Sequence, residues 1–210
     1  MLAAKIAVAA LCLVPAALLV WRGATGRLTA NPIEFITLET GFWALTLLMV
    51  TLAVTPLRRI TGWNRVIAFR RMIGLFAFFY ATLHLLTYVT LDRFFDFTEV
   101  GADILKRPYI TVGFMAFLLL VPLAITSTRG WIRRLGPRWQ KLHRLVYLSA
   151  ALAVLHFYWK KASKADIAEP ILFAGILAGL LLFRIGWYLR RRRRPGRRSV
   201  PPPATAPHPR

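Results

Sequence analysis

KLHRLVYLSAALAVLHFYWKK, residues Lys141–Lys161, sets two histidines thirteen positions apart in a segment otherwise suited to lipid. An imidazole in hydrocarbon costs free energy unless its ring nitrogens find partners, so a histidine at membrane depth points first to a functional site. Whether this segment is a membrane span depends on the rest of the chain.

The 210 residues are 57% hydrophobic, with a mean hydropathy of +0.53. Only 8 acidic residues stand against 29 lysines and arginines. Such a balance belongs to an integral membrane protein, with lipid as its first partner. The net charge of +21 does not indicate nucleic acid, because the basic residues lie between long apolar runs rather than on one polar surface. The single cysteine, Cys12, sits inside an apolar run and reads as a small buried hydrophobe. It leaves no disulfide framework and no thiolate metal site.

Apolar runs near the roughly 20 residues needed to cross hydrocarbon occur six times, at Ala3–Trp21, Phe35–Val54, Met72–Leu91, Tyr109–Thr126, His143–Trp159 and Pro170–Leu189. The fold expected is an all-α membrane protein, a six-transmembrane-helix bundle with both termini on one side. The first run is read as a helix rather than a cleaved signal, since it is preceded by a single Lys5 and the nearest small-residue site, Leu28-Thr29-Ala30, is poor and distant.

Loop charges set the orientation. The N-terminus carries one basic residue, the second loop five, the fourth six and the tail eight; the first, third and fifth loops carry two, three and three. The positive-inside rule then puts both termini in the cytoplasm of a multi-pass protein. Asp92, Asp96, Glu99 and Asp103 fall in the third loop, on the outer side, beside any extracytoplasmic partner. Residues 1–190 read as the helical domain, and residues 191–210, arginine-rich and then proline-rich, as a disordered cytoplasmic tail against anionic headgroups. His208, set among the prolines of that tail, is not expected to be a ligand.

His84 lies thirteen residues beyond Arg71, and His156 thirteen beyond His143. At about 1.5 Å per residue both imidazoles sit roughly 20 Å from the inner boundary, level with one another on the third and fifth spans. Two level histidines on neighbouring helices suit a six-coordinate haem iron, one imidazole from each side. Ala77 and Ala81 precede His84, and Ser149 and Ala153 precede His156, so both faces are narrow where a porphyrin needs room. The competing account is that small residues let helices pack and that each histidine bonds a neighbouring helix. Zinc or copper fit less well, because a closed zinc site needs about four ligands.

His143 lies at the membrane boundary, roughly 140° around the helix from His156. It is either a ligand of a second, inner haem or an interfacial, quinone-contacting histidine. Its level on the third span is held by Arg70 and Arg71, which are suited to propionates rather than to iron.

The segment FFYATLH ending at His84, the block LGPRWQKLHRLVY (Leu135–Tyr147) and the LHFYW that follows (Leu155–Trp159) resemble the MsrQ family, formerly YedZ, within the ferric reductase-like transmembrane superfamily. The resemblance spans roughly residues 1–190. It implies haem b, one or two, held in a bacterial inner membrane by His84, His156 and His143, with Arg71 among the cofactor-binding residues and FMN as an additional cofactor. It also implies electrons drawn from quinol or a cytosolic flavin reductase and passed to a periplasmic molybdopterin methionine sulfoxide reductase, MsrP. Larger members of the superfamily carry two histidines on each ligand helix, whereas this chain has arginine at the inner position of the third span. No Gly-rich phosphate loop is present for a nicotinamide, so electrons are expected to enter from elsewhere. Nothing resembles a substrate pocket with a nucleophile or a molybdenum-binding thiolate, so the chain is expected to be an electron-transfer subunit without the sulfoxide site. The alternatives are a cytochrome b for another acceptor, such as ferric iron, or a histidine-relay proton channel.

Overall fold

A computed structural model describes residues 1–163 and 165–193. Lys164 and the chain from residue 194, which includes most of the expected disordered tail and His208, lie outside the described residues. Among the described residues the fold is all-helical: α1 (Leu2–Ala24), α2 (Pro32–Thr61), α3 (Ile67–Thr87), α4 (Phe97–Lys106), α5 (Pro108–Ile125), α6 (Arg129–Leu135), α7 (Pro137–Leu142), α8 (Leu145–Ala162) and α9 (Ala168–Arg193). Helix α9 thus runs three residues past the boundary expected at 190.

Five of these elements are long and apolar enough to cross a membrane: α1, α2, α3 with its flanking turns, α5 and α9. The six spans expected from sequence are reduced to five by this measure. Helix α8 falls short because His156, Lys160 and Lys161 lower the hydropathy of its 18 residues.

Two antiparallel helix pairs form the centre. In the first, α2 packs on α3, with Thr37 beside His84 and Thr55 beside Arg70. In the second, α5 packs on α8, with Tyr109 beside His156 and Thr126 beside His143. Helix α9 closes against α8 and α2, and α1 lies on α3. Helices α3 and α8 do not pack along one another; each is held by its own partner.

Starts and stops follow local chemistry. Asn31 caps α2 by accepting from Glu34 N, with Pro32 in the first turn, and Gly62 ends the helix at φ 71°. Pro15 interrupts α1, and the Tyr80 hydroxyl enters the opened rung, accepting from Ala16 N at 3.0 Å and donating to Cys12 O at 2.8 Å. Pro56 in α2 has no N–H to offer Leu52 O, and that carbonyl accepts from Arg184 Nη2 at 2.8 Å, while Nη1 donates to Tyr147 OH at 2.7 Å.

Between α3 and α5, where the sequence predicts a loop, the chain forms the short helix α4. Asp96 caps it by accepting from Thr98 N and Glu99 N. Of its acids only Asp103 is withdrawn from solvent, while Asp96 and Glu99 stay exposed. Asp103 is buried, takes Tyr88 OH at 2.8 Å, and pairs with Arg93 at 2.5 Å and Arg107 at 3.0 Å, while Glu99 also pairs with Arg93.

Candidate functional site

His84 stands near the end of α3 and His156 in the second half of α8, and the structure brings them together: the ring centres are 6.0 Å apart, with the planes 75° to one another. Each ring is held from behind by a backbone carbonyl of its partner helix. His84 Nδ1 lies 2.8 Å from Thr37 O, and His156 Nδ1 lies 2.7 Å from Tyr109 O. A carbonyl can only accept, so both Nδ1 atoms carry the proton and both Nε2 atoms keep a lone pair. The Thr37 carbonyl is further approached by the Thr40 hydroxyl at 3.1 Å.

Two neutral imidazoles with free Nε2 lone pairs are the form a metal takes up. With metal–nitrogen bonds of about 2.0 Å and about 1.1 Å from nitrogen to ring centre, imidazoles on opposite sides of one ion have centres roughly 6 Å apart. The observed spacing matches. Among the described residues no three of His, Cys, Asp and Glu gather into a metal-holding group. That donor set does not suit a closed zinc site, and it fits a planar group that brings its own equatorial donors. Helices α3 and α8 pack on their own partners rather than along one another, and the two histidines are where they meet.

The small residues near the histidines divide. Ala77 and Ser149 are fully buried in packing, and Ser149 Oγ donates to Ala116 O at 2.9 Å, so at these two positions the helix-packing account holds. Ala81 and Ala153, one turn before each histidine, are only half-buried.

His143 is in a different place. It caps the end of α7, stacked on Trp139 with ring centres 3.9 Å apart, and its Nε2 is 3.1 Å from Thr126 Oγ1. The threonine hydroxyl already donates to Pro122 O at 2.6 Å, so it accepts from His143, whose proton is therefore on Nε2. Trp139 Nε1 donates to Thr126 O at 2.9 Å, which explains the Trp-to-His spacing of four. Loss of water and the neighbouring Arg70 guanidinium both lower the His143 pKa below its usual range. Of the two arginines at this level, Arg70 is drawn in, with Nη1 3.3 Å from Thr55 Oγ1, while Arg71 is exposed.

The carbonyl partners were not anticipated from sequence, yet a signal for them exists. Thr37 to Tyr109 and His84 to His156 are both separated by 72 residues. At that offset GFWA (Gly41–Ala44) aligns with GFMA (Gly113–Ala116), Leu47-Leu48 with Leu119-Leu120, and ATLH ending at His84 with AVLH ending at His156. Arg71 aligns with His143. The pairs α2–α3 and α5–α8 are two copies of one histidine-bearing hairpin.

Comparison with known proteins agrees with this architecture. Residues 40–154 match the model of the ferric reductase like transmembrane component, from within α2 to within α8. A protein of Xanthomonas euvesicatoria pv. vesicatoria (strain 85-10), named protein-methionine-sulfoxide reductase heme-binding subunit MsrQ, is 55% identical over 210 residues, covering 97% of this chain and 95% of its own. The protein of that name from Herminiimonas arsenicoxydans is 59% identical over 169 residues, covering 80% and 78%.

Proposed function

Because the chain belongs to the MsrQ family, and so to the ferric reductase-like transmembrane proteins, we propose that it is the haem-binding, electron-carrying membrane subunit of a methionine sulfoxide reductase system. Its helices form six crossings of the bacterial inner membrane, α8 being the sixth, with both termini in the cytoplasm. Electrons enter from quinol or a cytosolic flavin reductase and leave to a periplasmic molybdopterin partner, MsrP, which holds the sulfoxide chemistry.

The observation that carries this reading is the pair of facing imidazoles. His84 and His156 stand 6.0 Å apart, and each Nδ1 is bonded to a carbonyl, which leaves Nε2 unprotonated. Those two residues would hold haem b. The haem supplies one-electron carriage through its iron. The protein's part is to fix both rings, to keep water out and to hold the site near the face where the partner docks. At the inner end, His143 and Arg71 stand level in the two hairpins, and we assign them to a second cofactor there, either an inner haem or FMN, whose carboxylate or phosphate an arginine suits. To ligate through Nε2, His143 has to leave Thr126.

The test is spectroscopic. The protein purified in detergent from haem-replete cells is expected to show a Soret band that shifts on dithionite reduction. His84→Ala and His156→Ala each abolish it, whereas His143→Ala weakens or shifts it. Full haem content in both of the first two variants refutes the ligand assignment.

A further inference from the structure

Beside the carbonyl that holds each outer histidine stands a glycine of the same helix. Gly41 lies one helical turn after Thr37 in α2, and Gly113 one turn after Tyr109 in α5. In a helix, residues four apart share a face, so the group at each of these positions flanks the carbonyl that its histidine uses. A methyl at Gly41 would lie 3.0 Å from His84 Nδ1 and 3.1 Å from Cε1. At Gly113 it would lie 2.6 Å from His156 Nδ1 and 2.9 Å from both Cε1 and Cγ. Among the described glycines, these two alone face an imidazole; Gly175, Gly179 and Gly186 in α9 meet nothing within 4 Å.

We propose that Gly41 and Gly113 are positioning residues for the two axial histidines: each leaves out the side chain that would push the ring off its carbonyl, and together they set tautomer and ring plane. This rests on His84 and His156 being the haem ligands. The same glycine-to-carbonyl spacing recurs at the 72-residue offset in both hairpins, so the close approach is seen twice.

The physical consequence is graded. At Gly113 the approach is closer than real side chains tolerate, so the His156 ring or the backbone beside it has to shift, which strains the bond to Tyr109 O. At Gly41 the His84 ring has only to yield by a few tenths of an ångström. An imidazole whose Nδ1–H is held by a carbonyl is a more basic ligand with a fixed plane; such outer partners typically change metal affinity by about 10–100-fold when removed. Gly113→Ala is therefore expected to displace the low-spin ferric electron paramagnetic resonance signal, which reads the ligand planes, and to weaken haem retention by about 10–100-fold in apo-protein titration. Gly41→Ala moves both in the same direction by less, and Gly175→Ala moves neither.

If Gly113→Ala does not accumulate, Gly41→Ala decides by the same two readouts. Should the glycine variants that accumulate bind haem with the parent's affinity and resonance signal, the positioning role is overturned while the ligand assignment stands. Should His84→Ala and His156→Ala keep their haem, the ligand reading itself falls, whatever the glycine variants do.

Discussion

At the scale of single residues, Asp103 separates a buried charge from a displayed one. Its carboxylate is buried and meets Tyr88 OH, Arg93 and Arg107, whereas Glu99, with a side chain 51% exposed, shares Arg93. Removing one partner of a buried pair strands the other, so Asp103→Ala is expected to cost about 3 kcal/mol or more. Glu99→Gln is expected to cost less than about 1 kcal/mol, as exposed pairs do. Thermal unfolding in detergent checks the order: equal midpoints for the two variants contradict it. This burial was not legible in the sequence, where Asp103 reads as one of four like charges in a loop. His84 and His156 were legible because their depth could be counted from the basic boundaries. Their acceptors were not, since every residue has a carbonyl and only the comparison of the two hairpins singles out Thr37 and Tyr109. The resemblance singles out Arg71, whereas helix α3 draws Arg70 inward and leaves Arg71 exposed, a choice that depends on how the helix is turned.

At the scale of elements, two interior prolines, Pro15 and Pro56, mark where a neighbour's side chain replaces a helical hydrogen bond. Pro15 opens a rung of α1 and Tyr80, fully buried, bridges its two ends. Tyr80→Phe leaves Cys12 O and Ala16 N without that partner, and is expected to cost about 1–3 kcal/mol. With Pro15→Ala already in place the helix can straighten and close the rung itself, so the same change should cost only a few tenths of a kcal/mol. A double-mutant cycle of unfolding free energies measures the difference, and additive costs would remove Tyr80 as a bridge. The prolines were visible in the sequence, but which side chain serves each one depends on helix packing. The long apolar helices were legible from hydropathy alone. Helix α4 was hidden because its ten residues include three charges, and its start depends on the Asp96 cap rather than on an apolar run.

At the scale of the whole molecule, charge is segregated along the bundle. All eight carboxylates lie toward one end: Glu34 and Glu39 early in α2, Asp92, Asp96, Glu99 and Asp103 between α3 and α5, and Asp166 and Glu169 between α8 and α9. Lys161 at the end of α8 is tied to Asp166 at 2.6 Å and Glu169 at 3.3 Å, which draws that junction to the same end. The histidine pair is near this end, and the arginine-rich turns Arg58–Arg71 and Arg129–Arg144 are at the other. Such a dipole of basic residues orients a multi-pass protein with its cationic end in the cytoplasm. Helix α8 decides the outcome, because its hydropathy is too low to mark it as a span, while the two-hairpin design requires it to run beside α5 across the same depth. Its polar cost is offset by partners: His156 has Tyr109 O, and Lys161 has two carboxylates. Reporter fusions therefore give a sharp expectation. Fluorescent protein joined after Gly62 or Gly136 should fluoresce, and alkaline phosphatase joined after Arg27 or Asp166 should be active. Phosphatase silence at Asp166 with fluorescence at the same position means that α8 turns back; His156 could not then stand level with His84 in the membrane, and the shared site between the two hairpins would not exist.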